Sequence, residues 1–200
     1  MLRVALTGGI GTGKSYVVNR LRERHVPCLD ADALAHGVTV PGTEATAAVA
    51  ARFGPDILDA SGGVDRRKLG TIVFGDPAAR RDLEAIVHPA VYRAMSAALR
   101  ALELTDAPAM ACVDIPLLYE TGRAADFDKV IATVCPPDMQ IARLLERGLT
   151  RAEAEQRLAA QLPAAEKATR ADYVIRTDGS FEETDRQVDD VLSKIANCRL

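Results

Sequence analysis

Three groups of residues in this chain have types and spacing suited to phosphate chemistry. The first is Gly8-Gly9-Ile10-Gly11-Thr12-Gly13-Lys14-Ser15, which has the spacing G-x-x-x-x-G-K-[ST]. Glycines cost backbone entropy, and here they allow a path on which consecutive N–H groups point inward at phosphate oxygens. A helix starting near Lys14 adds its positive dipole end. Lys14 then serves the β- and γ-phosphates, and the Ser15 hydroxyl is a ligand for Mg²⁺. The second group is Asp30-Ala31-Asp32, and the third is the pair Arg143 and Arg147, spaced i, i+4 on one helix face. A triphosphate cradle, a carboxylate for an acceptor hydroxyl and cations for migrating charge are the parts a phosphotransferase requires.

Short apolar runs alternate with longer helical patterns, the mark of an α/β parallel sheet. Strands are expected at 3–7, 26–30, 109–114, 129–134 and 172–175. The first runs directly into the glycines, and Val17, Val18 and Leu21 make the following helix amphipathic, the context a phosphate loop needs. Asp76-Pro77 reads as a helix N-cap with proline in the first turn. Thr150 with Glu153, and Ser180 with Glu183, fit the capping box. Residues 34–105 hold almost only helical pattern, broken at Ser61-Gly62-Gly63, and are too long for one crossover. A second helical stretch, 136–169, carries Arg143, Arg147, Arg151 and Arg157. The expected fold is therefore a three-layer P-loop core, residues 1–33, 106–135 and 170–200, with two helical insertions.

Composition narrows the class of partner. The chain has 200 residues, 48% hydrophobic and 26% charged, as a globular protein does. A net charge of −3 without a basic run, and 4% aromatic residues without tryptophan, argue against a nucleic-acid binder. No run approaches the length of a membrane span, and MLRVALTGG enters the glycines without a leader's apolar region. Cys28, Cys112, Cys135 and Cys198 lie far apart, with no C-x-x-C pair, so free thiols in the cytoplasm are expected rather than zinc.

Among triphosphate proteins, a guanine switch would carry N-K-x-D, which is absent, and the run before Ile115-Pro116 ends in a single acid, Asp114. A small-molecule kinase fits better. On the expected strand, alternation puts Asp30 and Asp32 on one side, at the edge where the P-loop opens. Asp32 is the candidate base, although an aspartate pair there also suits helix capping. Arg143 and Arg147 suit a closing lid, or a solvated face paired with Glu146 and Glu153. Rival readings are a P-loop kinase of a nucleoside monophosphate or small alcohol, and a regulatory nucleotide binder.

Longer strings narrow this further. "VALTGGIGTGKS", "LDADALAHGV", "VDRRKLGTIVFGDPAARRDLEAIVHP", "DIPLLYE", "QIARLLERG" and "ADYVI" occur in that order, and the chain so resembles the dephospho-CoA kinase family. The resemblance implies ATP and Mg²⁺, and transfer of a phosphoryl group to the ribose 3′-hydroxyl of dephospho-CoA. It implies that Asp32 activates the acceptor, that Lys14 with Gly9 to Ser15 wraps the ATP phosphates, and that Arg143 and Arg147 approach them on lid closure. It makes 34–105 the acceptor domain, with Arg66, His88 and Glu120 lining or supporting that side. His88, before Pro89, also suits a stiffened helix break, Arg66 a surface pair with Asp65 or Asp82, and Glu120 a helix anchor. The chain departs from the family pattern at Tyr16, where threonine is frequent, at the short turn Gly148-Leu149-Thr150, and at Thr177, where asparagine is frequent. Neither a monomer nor a weak homo-oligomer is singled out.

Overall fold

A computed structural model describes residues 1–105 and 108–197; Cys198, counted above among the thiols, lies outside the described residues. The chain folds as two compact units, residues 1–29 with 105–200, and residues 30–104.

The first unit is built on a five-stranded sheet of order β2-β3-β1-β4-β5. Its strands are β1 (Leu2–Gly8), β2 (Cys28–Asp30), β3 (Met110–Asp114), β4 (Lys129–Val134) and β5 (Tyr173–Arg176). β1 is central and parallel to both neighbours, pairing Leu6 with Asp114 on β3 and Gly8 with Thr133 on β4. β5 adds in parallel to β4, with Val134 opposite Arg176. β2 is shorter than expected: Val26 and Pro27 precede it, although the Cys112 amide already bonds the Pro27 carbonyl at 2.8 Å.

The inner strands β1, β3 and β4 are buried along most of their length because the sheet is covered on both faces. On one face, Val4, Leu6, Cys112 and Ile131 pack against Val17, Val18 and Leu21 of α1 (Lys14–Glu23) and Val188, Val191 and Ile195 of α9 (Phe181–Asn197). On the other, Ala5, Leu118 and Val130 form a smaller cluster, and α8 (Ala164–Arg170) packs on β1 and β4. Helices α6 (Pro137–Glu146) and α7 (Arg151–Ala159) precede α8. The capping box at Thr150 forms with both of its reciprocal bonds, and that at Ser180 likewise, through bonds of 2.8 and 3.2 Å with Glu183. Cys28, Cys112 and Cys135 are free thiols. No helix among the described residues is long and apolar enough to cross a membrane.

The second unit is helical: α2 (Ala31–Gly37), α3 (Glu44–Phe53), α4 (Arg66–Gly75) and α5 (Pro77–Thr105). Leu58 and Val64 form a single antiparallel bridge across the Ser61-Gly62-Gly63 turn. Val49, Ile57, Val64 and Leu69 form its core. Asp76 caps α5 as read from sequence, accepting from the Ala78 and Ala79 amides at 2.8 and 3.1 Å. The helix break read at His88-Pro89 does not occur. Pro89 sits inside α5, where Ala90 and Val91 immediately after it are buried and packing holds the helix through the missing amide bond.

Candidate active site

The phosphate loop joins β1 to α1. Gly11 and Gly13 both have φ of 78°, a left-handed backbone suited to glycine, and Gly13 is the N-cap of α1. A side chain at residue 11 would also meet the Gln140 carbonyl, 2.9 Å from an added Cβ. The loop's carbonyls are held, that of Gly9 from within the loop and the next three from outside it. Thr12 Oγ1 donates to the Gly9 carbonyl at 2.7 Å and Gln140 Nε2 to that of Ile10 at 2.6 Å. Arg143 Nη1 donates to the carbonyl of Gly11 at 3.1 Å and Thr177 Oγ1 to that of Thr12 at 2.7 Å. Of the amides, Ile10 donates to Gln161 Oε1 at 2.9 Å and Thr12 to the Gly9 carbonyl at 3.2 Å. Those of Gly11, Gly13, Lys14 and Ser15 donate to none of the loop or cap acceptors. With carbonyls turned outward and donors left over at a helix N-terminus, the loop is an anion nest.

Lys14 donates to the Asp114 carboxylate at the end of β3, so the nest's cation and an acid at the same sheet edge form a pair. Ser15 is exposed in the first turn of α1. Gly13, Ser15, Tyr16, Arg143, Arg147, Thr177 and Phe181 line a cavity of about 410 Å³. Tyr16 is fixed at its edge: its hydroxyl donates to Asp185 at 2.9 Å and its ring packs on Phe181, centroids 4.8 Å apart. Desolvation first, and then the Asp185 bond, push its phenol above the ordinary value.

The two arginines read as one lid face behave differently. Arg143 is committed to the loop, donating also to Thr177 Oγ1 at 3.2 Å and to the Thr177 carbonyl at 2.6 Å. Arg147 is the C-cap of α6 and lines the same cavity, with no side-chain hydrogen bond or ion pair among the described residues. Glu120 belongs to the same unit and not to the helical one; its carboxylate accepts from the Leu162 amide at 2.9 Å and pairs with Lys167 at 2.7 Å.

In the helical unit, Asp30 and Asp32 do not alternate along a strand. Asp30 ends β2 and caps α2, accepting from the Asp32 and Ala33 amides at 2.8 and 3.0 Å. Asp32 lies in the first helical turn with its side chain exposed and free of the cap. Arg66 Nη1 bonds His36 Nε2 at 2.8 Å, and its other terminal nitrogen reaches Thr39 Oγ1 at 3.4 Å. Desolvation draws the Arg66 guanidinium below its ordinary value, and the Asp32 charge opposes this. Arg66 and His88 come together on a cavity of about 300 Å³ whose walls include Val64, Leu69, Val73, Leu83 and Val87. His88 stacks edge-on with Tyr92 at 6.1 Å.

Sequence reasoning missed Thr133, Gln140, Gln161 and Lys167. Gln140 and Lys167 are almost wholly buried polar residues on helices; a local pattern gives no sign of that, because their partners are remote in sequence.

A nest of amides at the C-terminal edge of this parallel sheet, opening a helix whose first turn carries Lys14 and Ser15, defines a P-loop phosphotransferase. The sequence pattern of dephospho-CoA kinase matches residues 2–183. A dephospho-CoA kinase of Anaeromyxobacter dehalogenans is 47% identical over 197 residues, covering 98% of this chain and 93% of that protein. One from Geobacter metallireducens is 48% identical over 189 residues, covering 94% of each. A crystal structure from Thermus thermophilus superposes with a TM-score of 0.81 at 35% identity, covering 96% of this chain and 97% of that one. The chain belongs to the dephospho-CoA kinase family.

Proposed function

We propose that this chain transfers the γ-phosphoryl group of ATP to the ribose 3′-hydroxyl of dephospho-CoA, giving coenzyme A and ADP. The observation that carries the reading is the tethering of three successive P-loop carbonyls, those of Ile10, Gly11 and Thr12, from outside the loop, which leaves amide donors for a triphosphate beside Lys14, whose pairing with Asp114 holds it at the same sheet edge, in a chain of this family. The Lys14 ammonium holds the transferring phosphate, and Arg147, without a partner among the described residues, supplies positive charge from the cavity it lines as residues 136–169 close over it. Arg143 acts from behind, holding the loop. Residues 34–105 bind the acceptor. Asp32, exposed and unencumbered by the cap that Asp30 makes, accepts the proton of the 3′-hydroxyl as the oxygen attacks in line.

Mg²⁺ fits this site. It needs one or two protein oxygens beside phosphates and water, and the exposed Ser15 hydroxyl meets that requirement. When bound it neutralises phosphate charge.

The test is ADP release by the purified chain with Mg-ATP and dephospho-CoA, AMP, CMP, shikimate or gluconate as acceptor. ADP with dephospho-CoA alone, and coenzyme A confirmed by mass, is the expected result. Turnover only with another acceptor would replace the substrate, and no acceptor-dependent ADP would overturn the kinase reading.

A further inference from the structure

Arg66 is unusual among the arginines of the helical unit in the kind of partner that holds it. Arg52 and Arg80 pair with Asp82 and Glu84 at 2.6 and 2.9 Å. Arg66 instead rests on two uncharged acceptors, His36 Nε2 at 2.8 Å and Thr39 Oγ1 at 3.4 Å. The nearby acids are spent elsewhere. Asp65 caps α4, accepting from the Arg67 and Lys68 amides at 3.0 and 3.1 Å. Glu84, on the same cavity wall, is taken by Arg80. Asp32 acts on Arg66 through space without forming an ion pair among the described residues.

A guanidinium held by a carboxylate has a fixed position and a cancelled charge. One held by a neutral imidazole has a fixed position and its whole charge left over. The imidazole nitrogen facing Arg66 carries no proton, since guanidinium only donates. His36 also stands one turn after Asp32 on α2, so both project from one helix face, and Arg66 lines a mostly apolar cavity on which Glu84, already paired with Arg80, is the one acid.

We propose that His36 is a positioning residue for acceptor recognition: as a neutral acceptor it fixes the Arg66 guanidinium beside Asp32 without neutralising it, so that Arg66 binds the diphosphate of the acceptor. This rests on the function proposed above. It makes the Asp32–His36 turn a unit in which one side chain serves the reacting hydroxyl and the other orients the cation that anchors the substrate.

The experiment compares His36→Ala, His36→Gln and His36→Glu by steady-state kinetics with dephospho-CoA and ATP varied separately, with thermal melts alongside. His36→Ala raises KM for dephospho-CoA about three- to tenfold while KM for ATP holds. Gln, whose amide oxygen accepts without charge, restores it. Glu holds Arg66 but cancels its charge, and so raises KM at least as far as Ala. In an Arg66→Ala background the His36 substitutions add nothing further. Unchanged KM in His36→Ala, or His36→Glu performing as well as His36→Gln, overturns the proposal. Should the alanine variant fail to fold, the Gln and Glu pair decides alone. A wild-type protein without dephospho-CoA-dependent turnover instead defeats the function proposed above.

Discussion

Lys167 Nζ lies 2.7 Å from Glu120 Oε1, with the lysine side chain fully enclosed. The ammonium donates also to the Pro116 carbonyl at 2.6 Å, and Glu120 accepts from the Leu162 amide at 2.9 Å. The segment after β3 is thus fastened to α8 and to the turn before it. A charge can be buried here because every strong partner is supplied.

Removing one member of that pair strands the other. Glu120→Ala leaves an enclosed ammonium with one carbonyl, which costs about 3 kcal/mol, or roughly 6–12 °C in melting temperature for a chain of this size. Lys167→Met deletes the charge and keeps the volume, so it is the milder change. Calorimetric melts of the two variants check the order; a Glu120→Ala protein as stable as wild type would remove the pair from the fold's supports.

Arg143 ties the loop to Thr177, donating to the Gly11 carbonyl at 3.1 Å and to Thr177 Oγ1 and the Thr177 carbonyl at 3.2 and 2.6 Å. Lysine preserves the charge but cannot reproduce the planar fork. Arg143→Lys is therefore expected to raise KM for ATP about tenfold, and Thr177→Val, which loses the 2.7 Å bond to the Thr12 carbonyl, to act in the same direction. Nucleotide titrations of the two variants measure this. Arg147→Ala, at a side chain without a hydrogen bond or ion pair among the described residues, should by contrast lower turnover more than nucleotide affinity.

What the sequence disclosed was local. The glycine spacing, the apolar runs and the caps at Asp76, Thr150 and Ser180 each depend on residues within a few positions of one another, and each appears in the structure. The loop's outer tethers do not. Gln140 and Thr177 lie far along the chain from the carbonyls they hold, and an isolated helix sequence places Gln140 and Lys167 among the solvent-facing positions. The alternation assigned to Asp30 and Asp32 failed for a related reason: Asp30 captures two amides and turns the strand into a helix at once, so strand periodicity stops at Asp30 and does not reach Asp32.

Asp32 is separable from the cap. Because Asp30 alone supplies it, Asp32→Asn keeps the turn and removes only a proton acceptor. Turnover should fall about 10²- to 10⁴-fold, with ATP affinity and melting temperature unmoved. A variant with wild-type kcat would exclude Asp32 as the base. Asp30→Ala is the complementary change: it loses the cap, at a cost of about 1 kcal/mol, and is visible in the melt.

Asp76 gives the fold a specific acid sensitivity. Amides of Ala79 and then Ala78 hold its carboxylate below the ordinary aspartate value, because they bond best to the ionised form. A folded-state value below the unfolded one means stability that is present above the unfolded value, about pH 4, and lost as pH falls through the folded value. Asparagine caps as well as aspartate but does not titrate. The difference in melting temperature between wild type and Asp76→Asn should therefore be constant near neutrality and shift against the wild type between about pH 5 and pH 2. Melts across that range decide it: parallel curves would show that the cap's charge state contributes nothing to acid stability, and a converging or crossing pair would assign that part of the acid limb to the start of α5.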